Sequence, residues 1–321
     1  MKRKNIFSCA ALLLATSCFA ACANTSQKTS FNSNWQTDST VIQNDLTETL
    51  EYNVRFEKST PTQNDFSLDY TNGTYTTSLK TEYSEGRIIY IYESTLQIDV
   101  IYQFGQESKQ LTDRVYSHVE FEDADSFLRP LSSYKETLSH SPANGATSLD
   151  KCYETYHHSI DIKYTENGAG EMVYKNLADE NSKDQKESFK VSTKKYTHLD
   201  NEQLLFAIRG INPSQSTTAK FNVYSPFINR AQKVKVSFDS ATSRDFTFTK
   251  NGTSIKETIQ YYPVKIALDE TNPGATQTAW VAKSTSTTSN VYRNVVLRLE
   301  TPLSYNLGSL VYELKSATFS N

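Results

Sequence analysis

The chain is poor in cysteine. It has four among 321 residues, Cys9, Cys18, Cys22 and Cys152. If the leading segment is removed on export, Cys152 stands alone in the body and no intramolecular disulfide can form. Stability must then come from a packed core. Glycine is scarce as well: ten in the whole chain exclude collagen-like and glycine-rich repeats. Neither a P-loop nor a dinucleotide glycine pattern occurs. Positive charge is short. Lys and Arg number 33 against 36 Asp and Glu, a net charge of −3. The first 21 residues hold three bases and no acid, so the remainder has a net of −6. That balance, without a basic aromatic-studded stretch, argues against a nucleic-acid partner. There is no Gly-x-Ser-x-Gly elbow and no His-Glu-x-x-His helix.

What is present begins at the N-terminus. Lys2, Arg3 and Lys4 form a positive region. Ile6 to Ala21 is an apolar run broken only by small residues, shorter than the ~20 residues of a comfortable membrane span. It closes as Phe19-Ala20-Ala21-Cys22, the shape of a secretion signal. This stretch resembles the lipobox of bacterial lipoproteins. The resemblance implies that Cys22 becomes the mature N-terminus and carries a thioether-linked diacylglycerol. Each buried methylene contributes ~0.8 kcal/mol, so two acyl chains hold a protein on a bilayer where one does so only marginally. Cys18, after Ala15-Thr16-Ser17, is the competing site, and an ordinary cleaved signal is the alternative. The domain plan that follows is a signal peptide over 1–21, a flexible polar tether over 22–47, and a single large β-rich body over 48–321. Trp35 is the exception in the tether, either docked on the body or free near the lipid.

The body reads as strands. Twenty Tyr and sixteen Phe, with abundant Thr and Val, supply an aromatic core and favour β structure. Leu50, Tyr52, Val54 and Phe56 alternate with polar residues, as do Leu96, Ile98, Val100, Tyr102 and Phe104. Asn72-Gly73, Glu85-Gly86, Glu166-Asn167-Gly168 and Asn251-Gly252 are turn signals, so consecutive strands should form an antiparallel meander. Asp123 or Asp125 could cap a short helix through Phe127 and Leu128, ended by Pro130. The main helix is expected over Leu199 to Ile211, with Asp200 or Asn201 as N-cap and an apolar stripe of Leu204, Leu205, Ala207, Ile208 and Ile211. Gly210 and Pro213 would end it.

The expected fold is therefore mainly β with α+β character: a long antiparallel curved sheet or half-barrel with one main amphipathic helix packed on its concave side. A two-sheet sandwich is the alternative. The layout from Leu199 through the strands to Leu314 resembles that of the LolA-like half-barrel lipoproteins. That resemblance implies a curved sheet enclosing an apolar cavity for acyl chains.

Chemistry-bearing residues are few. His157 and His158 are adjacent, so on a strand they face opposite sides and cannot share a metal. His140 could join either of them at a metal, but reads as a surface residue. Cys152 reads as a buried or inert thiol, since nothing local is electropositive enough to lower its pKa. No catalytic residue, metal site or cofactor site is assigned, and no carboxylate pair can be matched from sequence. The expectation is a membrane-anchored extracytoplasmic lipoprotein, not an enzyme, that binds an apolar or amphipathic ligand. A glycan-binding or adhesion module is the alternative, and a hydrolase with a hidden acidic pair is a third. The expected partners are a membrane through the lipid anchor and a lipid or other apolar ligand. The oligomeric state is open.

Overall fold

The computed structural model describes residues 27–31, 46–59, 66–124, 127–143, 145–226, 229–268, 276–283, 293–303 and 307–320. The signal region, Cys18, Cys22, Trp35 and Asp125 lie outside the described residues.

Among the described residues, sixteen strands form one sheet. The first five are long: β1 Thr47–Lys58, β2 Phe66–Ser84, β3 Arg87–Phe104, β4 Glu107–Ala124 and β5 Phe127–Pro142. Then come β6 Tyr153–Tyr164, β7 Ala169–Asn176, β8 Gln185–Lys190 and the short β9 Thr197–Leu199. After a helical turn, α1 Leu204–Ala207, the chain continues with β10 Thr218–Ser225, β11 Arg230–Phe238, β12 Thr242–Lys250 and β13 Thr253–Leu268. It ends with β14 Gln277–Ala282, β15 Val296–Pro302 and β16 Gly308–Ser320. The spatial order is β8-β7-β6-β5-β4-β3-β2-β1-β16-β15-β14-β13-β11-β10-β9, with β12 on β13 and β16. The ladders are antiparallel except β9 with β10 and a two-residue contact of β12 with β16.

The meander follows from the alternation. Along β3, Tyr90, Tyr92, Ser94, Ile98, Val100 and Tyr102 are buried while their immediate neighbours in the strand are partly or fully exposed. One turn signal is read differently by the fold. Asn72-Gly73 does not end a strand; it is a bulge inside the 19-residue β2, where the register to β3 shifts between Thr71 and Thr74. β3 keeps pairing on both sides of it, while the β1 ladder to β2 ends at Gly73, so the positive φ of Asn72 (52°) is spent on a kink. A Cβ on Gly73 would stand 2.6 Å from the Val54 carbonyl oxygen and 2.9 Å from Ile98 Cδ1, so only glycine fits.

The sheet curls until its ends meet. β9 lies against β5 and β8 against β11. Phe189 of β8 stacks on Tyr224 of β10 with ring centroids 3.7 Å apart, and Tyr164 of β6 meets His198 of β9 edge to face at 5.3 Å. The result is an almost wholly β barrel closed by side chains rather than by a further ladder. This corrects the expected half-barrel with a main amphipathic helix. Leu199–Ile211 is not a helix of that length. Leu199 ends β9, α1 has four residues, and a 3₁₀ turn over Ile208–Gly210 follows. The expected cap at Asp200 or Asn201 does not form: the N-cap position of α1 is Gln203, which makes no side-chain cap bond. Asp200 instead closes the turn before it, Oδ1 accepting from the Glu202 backbone N–H at 2.7 Å while Gln203 Oε1 accepts from the Asp200 N–H at 3.0 Å. The helix stops because it is buried on every side. Leu204, Phe206, Ala207, Ile208 and Arg209 are all under 9% exposed, so there is no wet face for a long amphipathic helix to present. The short helix expected through Phe127 and Leu128 is also absent. Those residues start β5, and Pro130 sits where the β4–β5 register shifts between Glu120 and Phe121, the position in a ladder that tolerates a missing N–H.

Barrels of this strand number are wide enough to leave a channel. Here side chains of α1 and of Phe31 enter the interior. Phe206 of α1 lies 5.0–5.1 Å from the rings of Tyr90 and Phe121, and Phe31 packs on Phe206 at 5.5 Å. Residues 27–31, within the stretch read as a tether, are therefore part of the body. The Gln27 N–H donates to the Lys195 carbonyl at 2.8 Å, and Thr29 and Thr197 exchange hydrogen bonds at 3.2 Å. The Phe31 ring occupies the place that a Cβ on Gly210 would take.

Candidate functional site

Two places concentrate polar chemistry: the interior where α1 enters, and the outer face of β2–β6.

Inside, Arg209 makes a two-pronged ion pair with Glu48 of β1, Nη1 to Oε1 at 2.7 Å and Nη2 to Oε2 at 2.8 Å. The side chains are 2% and 1% exposed. Arg209 also donates to the Arg293 carbonyl at 2.9 Å. Tyr52, Tyr75, Tyr92 and Tyr312 stand around this pair with Leu50, Leu205 and Leu299, enclosing a void of about 10 Å³. That is room for a single water. Burial pushes the Tyr92 phenol up to about 12, and the other three tyrosines are raised by the same cause. None of them is an acid or base near neutrality. The segment 199–211 packs into the interior where an acyl chain was expected.

A second interior cluster lies beside it. Ser133 donates to Asp200 Oδ2 at 2.7 Å, and Tyr164 donates to the same oxygen. Burial, then the neighbouring Glu202, raise the Asp200 pKa. Burial also acts on Glu202, but Lys135 at 2.8 Å outweighs it and lowers the pKa. His198 is 7% exposed, its Nε2 lacks a hydrogen-bond partner, and burial lowers its pKa to about 4.

The outer face is different. Register sets Ser78, Glu93, His118, Tyr134 and Asp161 in one row across β2 to β6, and Thr76, Thr95, Tyr116, Glu136 and Ser159 in the next. Strands lie ~4.8 Å apart, so each row spans about 19 Å. Tyr116 donates to Glu93 at 2.9 Å, and His118 Nδ1 meets the same carboxylate at 3.1 Å. Tyr134 donates to Glu136 at 2.9 Å, and His157 Nε2 meets Glu136 at 3.0 Å. The hydrogen bond from His118 lowers the Glu93 pKa, and that from His157 lowers Glu136. Tyr116 is 37% exposed, and its ring centroid is 6.2 Å from that of Tyr134. These side chains can accept hydrogen bonds from hydroxyl groups and offer two aromatic faces.

The residues singled out in the sequence fall as follows. Cys22 and Cys18 lie outside the described residues. Cys152 is fully buried, its thiol donates to the Leu149 carbonyl at 2.9 Å, and burial raises its pKa, so it is inert as expected. His157 and His158 do face opposite sides: His157 reaches Glu136 on the outside, while His158 is 2% exposed against Tyr174. His140 is not a surface residue. It is 8% exposed and bound through Nδ1 to Asp113 at 2.8 Å, because the turn leading to Cys152 folds over it and Tyr153 covers its ring. Sequence reasoning missed Arg209–Glu48 and the paired Tyr–Glu–His rows. Strand alternation already puts Glu93, Tyr116 and His118 on the wet side; which of them meet across strands is set by register.

Among the described residues, no group of three or more His, Cys, Asp and Glu could hold a metal ion. No helix among them is long and apolar enough to cross a membrane. No family model matches the chain, and no curated protein does. Among solved structures, the chain is similar to a β-barrel-like protein of a domain of unknown function, DUF1849, from Brucella abortus, at 10% identity and a TM-score of 0.47, over 87% of this chain and 100% of that one.

Proposed function

We propose that this chain is an extracytoplasmic lipoprotein, anchored through Cys22, that binds a saccharide on the outer face of β2–β6 and performs no bond-breaking step. The observation that carries the choice of face is the contrast between the two sides of one sheet. On the inside, α1 and Phe31 pack among the inward rings, and the outside presents Tyr116 and Tyr134 among hydrogen-bonding Glu93, Glu136, His118 and His157. Tyrosine supplies rigid contact area at low entropy cost, and carboxylates held in place by neighbours accept hydroxyl hydrogen bonds without further ordering. The test is binding of cell-wall and extracellular polysaccharides to the purified protein by calorimetry. Tyr116→Ala with Tyr134→Ala should weaken binding at least tenfold while leaving the melting temperature within a degree or two. Unchanged affinity in that variant would remove the outer face from the reading. Membrane release of Cys22→Ala tests the anchor separately.

An apolar ligand inside the barrel is the second reading. Its support is that Leu204, Leu205, Phe206 and Ile208 enter the barrel as side-chain guests on one short segment. A lipid would have to displace that segment, so lipid co-purifying with the protein should coincide with protease cleavage between 199 and 217.

A further inference from the structure

We propose that the lysine-bearing surface where residues 27–31 join the barrel rests on an anionic lipid bilayer. The inference builds on the Cys22 anchor and adds an orientation to it.

Chain length is the first argument. The backbone is pinned at Gln27, whose N–H donates to the Lys195 carbonyl. Five residue steps separate Gln27 from Cys22. Fully extended, they span at most ~18 Å. An acylated Cys22 therefore holds this part of the barrel close to the membrane, whatever path the intervening residues take. The far side is much more distant. Lys28 lies over the Phe127 ring, at the end of the barrel where β5 starts, and Ile88 of β3 pairs there with Asp123. β3 then runs 18 residues to the hairpin at Phe104–Glu107, ~55 Å away at strand rise.

Charge is the second argument. Lys28, Lys194 and Lys195 surround the point of attachment, and Lys195 and Lys233 both approach the Tyr196 ring, at 5.4 and 5.9 Å. From Lys190 to Phe238 the acids are Asp200, which is buried, and Glu202, which is locked to Lys135. The exposed charges within this stretch are lysine and arginine, although Glu187 of the adjacent β8 acts on Tyr224, Asp123 lies at the same end, and the chain beyond residue 21 has a net charge of −6. A surface potential decays within a Debye length, ~8 Å at physiological salt. A short leash at the basic side brings that side into the field and leaves the acidic remainder outside it.

The experiment uses the full lipidated chain in vesicles. A donor fluorophore is placed on Ser192→Cys near the patch or on Gln103→Cys at the far hairpin, with an acceptor in the lipid headgroups. Native Cys152 is buried and does not compete for label. With phosphatidylglycerol in the vesicles, transfer from position 192 should exceed that from position 103 several-fold. The difference should shrink in phosphatidylcholine alone, and in the variant Lys28→Glu, Lys194→Glu, Lys195→Glu, Lys233→Glu. A milder Lys→Gln set at the same positions guards against misfolding and should give an intermediate value. Equal transfer from the two labels in anionic vesicles overturns the proposal. So does a patch that captures a soluble polyanion while position 192 stays remote from the lipid. Failure of the anchor reads out differently: Cys22→Ala would then remain in the membrane fraction.

Discussion

The buried pair Glu48–Arg209 should control the fold more than any other polar contact, and Glu48→Gln tests this. The carboxylate and guanidinium are 1% and 2% exposed, joined by two hydrogen bonds of 2.7 and 2.8 Å. Neither group can reach water without opening the barrel. Removing one charge leaves the other desolvated, and breaking a buried pair from one side costs about 3–5 kcal/mol. The new amide also turns an N–H₂ toward a guanidinium that has only donors. A large domain loses about 2–4 °C in Tm per kcal/mol, so Glu48→Gln should melt roughly 10 °C below the parent. The double variant Glu48→Leu, Arg209→Met removes both charges. It should recover part of the loss, because no lone charge is left at the pair itself, while the Arg293 carbonyl loses its donor and the buried Arg293 guanidinium loses the nearby Glu48 charge. Circular dichroism melts and urea titrations of the four proteins measure the cycle. A single variant melting within 2 °C of the parent, or a double variant no better than the worse single, would refute the reasoning.

Three further outcomes are expected. His158 and His198, both held neutral by burial with pKa values of about 4, bind fewer protons folded than unfolded between pH 4 and 6.5. Stability should therefore fall as pH drops through that window, by a few kcal/mol, and His158→Phe with His198→Phe should flatten the curve of Tm against pH. Phe31→Ala empties the space between Phe206 and Gly210 and costs up to about 3 kcal/mol; because the loss sits in a terminal segment, limited proteolysis near residue 31 should accelerate well before global unfolding does. Gly168→Ala puts a Cβ against the Val191 carbonyl at a φ of +74° and should lower stability by about 2 kcal/mol or more, read from urea midpoints at constant m.

The strands were legible because their pattern is local. Leu50-Tyr52-Val54 and Ile98-Val100-Tyr102 alternate whatever the rest of the chain does, and they are strands facing one core. The misreadings came from rules that tertiary pairing overrides. Asn72-Gly73 satisfies a hairpin turn and a bulge equally well; β3, pairing on both sides of it, decides for the bulge. The stripe at 204–211 satisfies helical spacing, but Arg209 lies on the same buried turn, drawn inward by Glu48 161 residues earlier. His140 looked exposed because Asp113 is 27 residues away, on the neighbouring strand. The candidate outer site was half legible: alternation gives the wet face of each strand, and the register that sets Tyr116 beside Glu93 and Glu136 is not written in any one segment.

Strand number and interior volume together explain why function is sought on the outside. A sheet of sixteen strands closing on itself encloses more space than its own side chains fill. An unfilled apolar interior would forfeit packing, and a wet one would expose the inward tyrosines. The chain resolves this by folding 199–211 inside and laying Phe31 over it. A purely apolar insert could slide to many depths, whereas Arg209 matches Glu48 at one. A buried pair of this kind is weak as a source of stability and strong as a selector of register. With the insert locked in one place, a guest on the inner face would have to displace Phe206 and its ring neighbours. The outer rows, already arranged by the same register, are the surface on which a partner can be recognised without undoing the core.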